Sequence, residues 1–200
     1  MVRAVIWDMG GVLLHEEPQE PRRAWEKRLG MEKGELDRQV FNNPLVWKLA
    51  TGEAEWDSVW ERVGAEWGLA PADGIRLGND FWGPPAWNDE VMDCVAALKG
   101  RYKLGVLSDA WVDTRAKVSG RINDALFDVI LFSAEVGLRK PDPRYYGLAL
   151  ERLGVAAAEA VFVDDRQVNI DGAGAMGIKA VLYAADTDIR RELAACGVEC

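Results

Sequence analysis

Hydrophobic positions along the chain change their period twice. Ala4-Val5-Ile6-Trp7 is an unbroken apolar run that stops at Asp8 and then at Gly10-Gly11. That is the pattern of a buried parallel strand delivering one carboxylate to a glycine loop, although a lone aspartate here also serves as a turn residue capping the strand. After Leu14 the apolar positions adopt helical spacing and keep it to about residue 100, the change being marked by Pro18 and Pro21. Helices are predicted over residues 21–29, ended by Gly30, and 33–41, stopping before Pro44. Trp56, Trp60, Val63 and Trp67 then lie on one face of an amphipathic helix introduced by Thr51-Gly52-Glu53. Gly83-Pro84-Pro85 closes this segment.

From Asn88 strand and helix patterns alternate. Val91, Cys94, Val95 and Leu98 line a helix stopped by Gly100. Strands are predicted over 102–107, 127–132, 160–163 and 179–183, with helices over 111–118, 143–153, 167–176 and 187–195. Strands separated by helices of this length call for a parallel, right-handed, doubly wound α/β sheet. Residues 1–16 and 87–200 are therefore expected to form one Rossmann-like α/β domain, and 17–86 a small helical insertion placed after the first strand.

Composition narrows the functional classes. Of 200 residues, 49% are hydrophobic and 28% charged, as in an ordinary globular protein. No apolar run approaches the length of a bilayer span, and the hydrophobic start is broken by Asp8 without a basic n-region or cleavage site. The expectation is a cytoplasmic protein with no membrane partner. A net charge of -9 argues against a nucleic-acid partner, which would require a basic face. Three cysteines and one histidine, His15, argue against structural zinc, and Cys196 and Cys200 are expected as free thiols. Six of the nine tryptophans fall between residues 20 and 85, where they supply the burial that a small helical unit needs. If some are exposed they would offer a dimer face, so a monomer and a homodimer both remain open.

Ligands of a doubly wound sheet bind beyond the carboxyl ends of its strands. The polar residues there are Asp8 after the first strand, Ser108-Asp109 after the second, Lys140 before Pro141-Asp142-Pro143, and Asp164-Asp165 after the fourth, followed by Asn169. Taken singly, Asp164-Asp165 and Ser108 read as helix caps and Lys140 as a solvated lysine. Together they form a site. Three carboxylates in one crevice require a hard divalent cation, and oxygen ligands suit magnesium. Ser108 can donate to a phosphoryl oxygen, and Lys140 can neutralise both the nucleophile and an incoming phosphate.

At these positions the chain resembles the haloacid dehalogenase-like hydrolase superfamily. Trp7-Asp8-Met9-Gly10-Gly11-Val12 is similar to its first motif, Leu107-Ser108-Asp109 to its second, Lys140-Pro141 to its third and Val163-Asp164-Asp165 with Asn169 to its fourth. The insertion after the first strand resembles the helical cap of the first type. The stretch Gly137 to Pro143 and the Thr51-Gly52-Glu53 turn resemble the small-sugar phosphatase branch that includes bacterial glucose-1-phosphatases. This resemblance implies a phosphatase of small phosphorylated metabolites. Asp8 would be the nucleophile, forming an aspartyl-phosphate. Mg2+ would be held by Asp8, the Gly10 carbonyl and Asp165, with help from Asp164. Ser108, Asp109, Gly10 and Lys140 would surround the phosphate, and Trp47 and Lys48 would be substrate contacts from the cap.

Two departures from the family pattern stand out. Gly10 occupies the place of a second aspartate that usually serves as general acid and base, and Asp109 replaces the usual Asn. Asp109 or His15 is a candidate substitute acid. The departures keep three alternatives open: a metal-independent dehalogenase, a phosphonate hydrolase using Lys48 as a Schiff base, and a catalytically weak homologue that binds a phosphorylated ligand or a protein.

Overall fold

The first strand, β1 (Ala4–Trp7), is buried along its whole length, with Val5 and Trp7 in one hydrophobic layer and Ala4 and Ile6 in the other. That two-sided burial is why the strand is continuously apolar. The computed structural model describes residues 1–15, 19–83 and 86–199. Pro18, Pro84, Pro85 and Cys200, which figure in the sequence reading, lie outside the described residues.

After Asp8 the chain makes one wide helical turn over Met9–Leu13, closed by the Leu14 amide donating to the Met9 carbonyl at 2.8 Å. The helical segment follows as α1 (Gln19–Leu29), α2 (Glu35–Asn42), α3 (Pro44–Ala50), α4 (Trp56–Glu66) and α5 (Pro71–Trp82). It packs a core of its own around Trp25, Leu36, Val40, Trp60, Leu77 and Phe81. The closest approach is between α4 and α5, where glycines face each other: a Cβ on Gly64 would stand 2.7 Å from Gly74 Cα, and one on Gly78 would run into the Trp60 ring.

The chain then alternates through α6 (Asp89–Leu98), β2 (Lys103–Ser108), α7 (Thr114–Val118), β3 (Val129–Phe132), α8 (Ser133–Val136), α9 (Pro143–Leu153), β4 (Ala160–Asp164), α10 (Gln167–Ala175), β5 (Lys179–Leu182) and α11 (Ile189–Ala195). The sheet is parallel throughout in the order β3-β2-β1-β4-β5, with Trp7 opposite Val106 on one side and Val163 on the other. Side chains of α6, α7 and α11 cover one face, and those of α9 and α10 the other. This is the doubly wound α/β fold expected from the sequence. Because the order reverses beside β1, the ends of β1, β2 and β4 converge on one crevice.

Several sequence expectations need correction. The helix predicted over 111–118 is confined to Thr114–Val118, because Trp111 sits in the preceding turn and its amide donates to Thr114 Oγ1. The strand predicted from 127 starts at Val129. The helices α3, α5 and α8 were not resolved as separate elements by the sequence pattern.

The chain leaves the sheet for the helical segment and returns to it at adjoining points. Leu14 pairs antiparallel with Trp87, the His15 amide donates to Ala86 O (2.8 Å), and the Asn88 amide donates to Leu13 O (3.0 Å). The Asn88 side-chain amide also donates to Val12 O and Tyr183 Oη. No helix among the described residues is long and apolar enough to cross a membrane.

Candidate active site

The parallel sheet brings Asp8, Ser108, Asp109, Lys140, Asp164 and Asp165 together at one end. Most of them line a cavity of about 200 Å³ with Gly10, Gly11, Asn169, Trp47, Trp82 and Trp111. Asp8 is 6% exposed. Its Oδ1 accepts from its neighbour's amide, Met9 N, at 2.6 Å and meets Lys140 Nζ at 2.7 Å, while Oδ2 has no hydrogen-bond partner among the described residues. One oxygen is thus fixed and the other is left for chemistry.

Lys140 joins two carboxylates. Its Nζ also lies 2.7 Å from Asp164 Oδ2, and Asp164 is saturated by the Arg166 amide (2.9 Å) and Asn169 Nδ2 (2.9 and 3.0 Å). Asp164 is therefore chiefly an anchor for the lysine. Burial opposes the Lys140 charge, but the carboxylates of Asp8, Asp164 and Asp109 outweigh it and hold the ammonium firmly protonated. The main-chain amide of Lys140 donates to Asp109 Oδ1 at 3.0 Å.

Asp165 is different. Its carboxylate takes no side-chain hydrogen bond among the described residues, and it fills the space beside Gly11, whose positive φ of 72° admits no ordinary side chain. Asp8, Asp164 and Asp165 bring ligand oxygens within 4.8 Å of one another. Burial raises the pKa of Asp8, Lys140 opposes that, and Asp164 and Asp165 add to it. Burial, reinforced by Asp164, pushes Asp165 up to about 6. Several carboxylates around one lysine leave an excess of negative charge, and an all-oxygen donor set of this kind fits a hard divalent cation. Burial likewise raises Asp109, against the pull of Lys140.

Hydroxyl groups brace the loops that carry these residues. Ser108 is buried at the cavity wall, and its carbonyl, with that of Leu131, receives the Tyr145 hydroxyl (2.9 and 3.0 Å). Ser133 Oγ holds both the amide and the carbonyl of Ala110. Tyr146 Oη donates to Asn169 O at 2.9 Å.

Of the two substrate contacts expected from the helical segment, Trp47 lines the cavity and stacks on Arg139 at 4.1 Å. Lys48 is exposed and outside that lining, one helical step from Trp47 and hence on another face of α3. His15 is exposed and borders a neighbouring cavity instead of the one containing Asp8. Trp82, Trp111 and Thr114 also line the cavity and were not singled out by the sequence reading. They come from two separate segments, and no local pattern announces that.

The parallel α/β sheet places a buried carboxylate-lysine pair at its strand ends, where ligands of a Rossmann-like fold bind. A family model described as "haloacid dehalogenase-like hydrolase" matches residues 2–177, and the chain belongs to this family of hydrolases. It is 46% identical over 168 residues to a phosphoserine phosphatase of Thermus thermophilus, covering 80% of this chain and 68% of that protein. It is 28% identical to a sesquiterpene phosphatase of Aspergillus oryzae, over 88% of this chain and 87% of that one. Two larger curated relatives are matched over 36% and 38% of their length. A HAD family enzyme of Bacteroides thetaiotaomicron, solved with magnesium and inorganic phosphate, shares the fold with a TM-score of 0.75 at 18% identity, covering 96% of this chain and 99% of that one.

Proposed function

We propose that the chain is a Mg2+-dependent phosphatase that hydrolyses a small phosphorylated metabolite through an aspartyl-phosphate intermediate. The observation that carries this reading is Asp8. One of its oxygens is fixed by Met9 N and Lys140, the other is unpartnered, and a free carboxylate, Asp165, stands beside it.

In the first step Asp8 Oδ2 attacks phosphorus, an O–P bond forms, and the ester O–P bond breaks to release an alkoxide, which takes its proton from water. Lys140 stays protonated, opposing the burial that raises the Asp8 pKa and offsetting charge on the phosphoryl oxygens. The Ser108 hydroxyl, whose contact to the Asp109 carbonyl is long at 3.5 Å, is available to donate to the same oxygens. In the second step water attacks the phosphoryl group, inorganic phosphate leaves and the Asp8 carboxylate is regenerated. Mg2+ held by Asp8, the Gly10 carbonyl and Asp165, with Asp164 behind them, would neutralise the charge shared between enzyme and phosphate. Residues 17–86 would act as a cap over the hydrolase core formed by 1–16 and 87–200.

The phosphatase names of two relatives, and the magnesium and phosphate bound by the Bacteroides enzyme, support this reading. Those two names place very different organic groups on the phosphate, so the sugar phosphate expected from the sequence has no special standing. The test is hydrolysis of 4-nitrophenyl phosphate with and without Mg2+, by wild type and Asp8→Asn. Turnover that requires the metal and vanishes in Asp8→Asn is expected. Metal-independent turnover retained by Asp8→Asn overturns the proposal.

A further inference from the structure

Beyond Gly10 a second cavity of about 130 Å³ adjoins the first, the two sharing Met9, Gly10, Leu14, Trp82, Trp111 and Thr114. Gly10 is the doorway. A Cβ placed on it would meet nothing within 4 Å, so the space beside it is open.

Three tryptophans line the second chamber. Trp56 and Trp82 come from the helical segment and Trp111 from the turn after β2. The Trp82 and Trp111 rings meet edge to face at 4.8 Å, and Trp56 and Trp111 at 6.3 Å. Val118 closes part of the wall. The basic side chains at its rim are His15 and Lys117, and the latter is already paired with Asp113 at 2.6 Å while lying over the Trp56 ring. No carboxylate is among its described lining residues. The Thr114 hydroxyl is engaged by the Trp111 amide. An apolar group would find ring faces on several sides, beside the polar side chains of Asn79, Thr114, His15 and Lys117.

An apolar cavity of about 150 Å³ accepts benzene, so this one suits a single ring.

Resting on the phosphatase reading above, we propose that the second chamber receives the organic half of the substrate. That half is an apolar, ring-sized group. The substrate class is the phosphate monoester of an aryl-alkyl alcohol.

The test separates recognition from chemistry. Acetyl phosphate reports turnover at Asp8 with little demand on the second chamber. Benzyl phosphate and glucose 6-phosphate are both esters of primary alcohols, so their ratio reports recognition. The kcat/KM of benzyl phosphate should exceed that of glucose 6-phosphate by at least about tenfold. Calorimetry in the presence of Mg2+ should show benzylphosphonate binding at least about tenfold tighter than methylphosphonate, and this readout needs no turnover. Asn79→Phe, which pushes a ring into the second chamber from its exposed rim on α5, should reduce both ratios severalfold. Equal phosphonate affinities, or a preference for the sugar ester with acetyl phosphate still turned over, overturn this proposal and leave the phosphatase reading standing. Loss of acetyl phosphate turnover in wild type, with the phosphonate preference intact, overturns the phosphatase reading alone.

Discussion

Asp165 occupies the space that a side chain on Gly11 would need. The two residues come from different strand ends, β4 and β1, and the close approach ties a free carboxylate to the turn that carries the proposed nucleophile. Gly11→Ala should cost about 1–2 kcal/mol of stability from its positive φ alone. It should also displace Asp165 and weaken Mg2+ binding at least severalfold. Urea denaturation read beside a Mg2+ titration checks both; an unchanged metal affinity would detach Asp165 from the cation site.

Lys140 is the cation shared by Asp8 and Asp164, and all three are buried. Removing one partner of a buried ion pair costs about 3–5 kcal/mol, because the remaining charge is stranded. Lys140→Met should lose activity and destabilise the fold by that order. Adding Asp164→Asn should recover part of the stability but none of the activity. A denaturation series on the single and double variants is the measurement.

Gly10 has φ -68° and ψ 132°, values open to any residue, and free space around its missing Cβ. Gly10→Asp should therefore fold normally and install a proton donor near the leaving oxygen. General acid catalysis contributes about 10²- to 10⁴-fold, so the kcat/KM of ethyl phosphate relative to 4-nitrophenyl phosphate should rise by at least about 10²-fold. An unchanged ratio would mean that another residue, Asp109 foremost, already supplies the proton.

The raised pKa of Asp165, about 6, gives Mg2+ binding a pH dependence. Its folded pKa lies above the ordinary 3.8, so in cation-free protein its contribution to stability is full below about pH 4 and is lost as pH rises through 6. A divalent cation binds the ionised form and reverses the sign. The rise in Tm on adding Mg2+ should be small near about pH 5 and reach its plateau above about pH 7. Thermal unfolding across that range, with and without the metal, shows whether it does.

The carboxyl ends of the strands were legible because a parallel sheet gathers residues that are adjacent to apolar runs. Asp8, Ser108, Lys140 and Asp164 each follow such a run or precede a proline-started helix. Helix α5 was harder to read because Gly74 and Gly78 look like helix breakers, yet they are there to let Trp60 and α4 approach closely. The tryptophan stripe was legible as burial, and Trp60 is indeed core. Its neighbour Trp56, with Trp82 and Trp111, instead frames a hole, and only the meeting of three distant segments reveals that. Lys48 was misjudged for a simpler reason: adjacent residues on a helix point about 100° apart, so a lining Trp47 argues against a lining neighbour.

The short ribbon of Leu13 to His15 against Ala86 to Asn88 has a consequence for how such an enzyme diversifies. Because the outgoing and returning strands are already stapled together, the sheet is indifferent to what hangs between them. Replacing the helical segment would leave this ribbon, and Asp8 a few residues upstream, where the sheet holds them. The same staple makes the ribbon a lever: a shift of the helical segment reaches Leu13 and Val12 directly, and through Asn88 it reaches Tyr183 just past the end of β5.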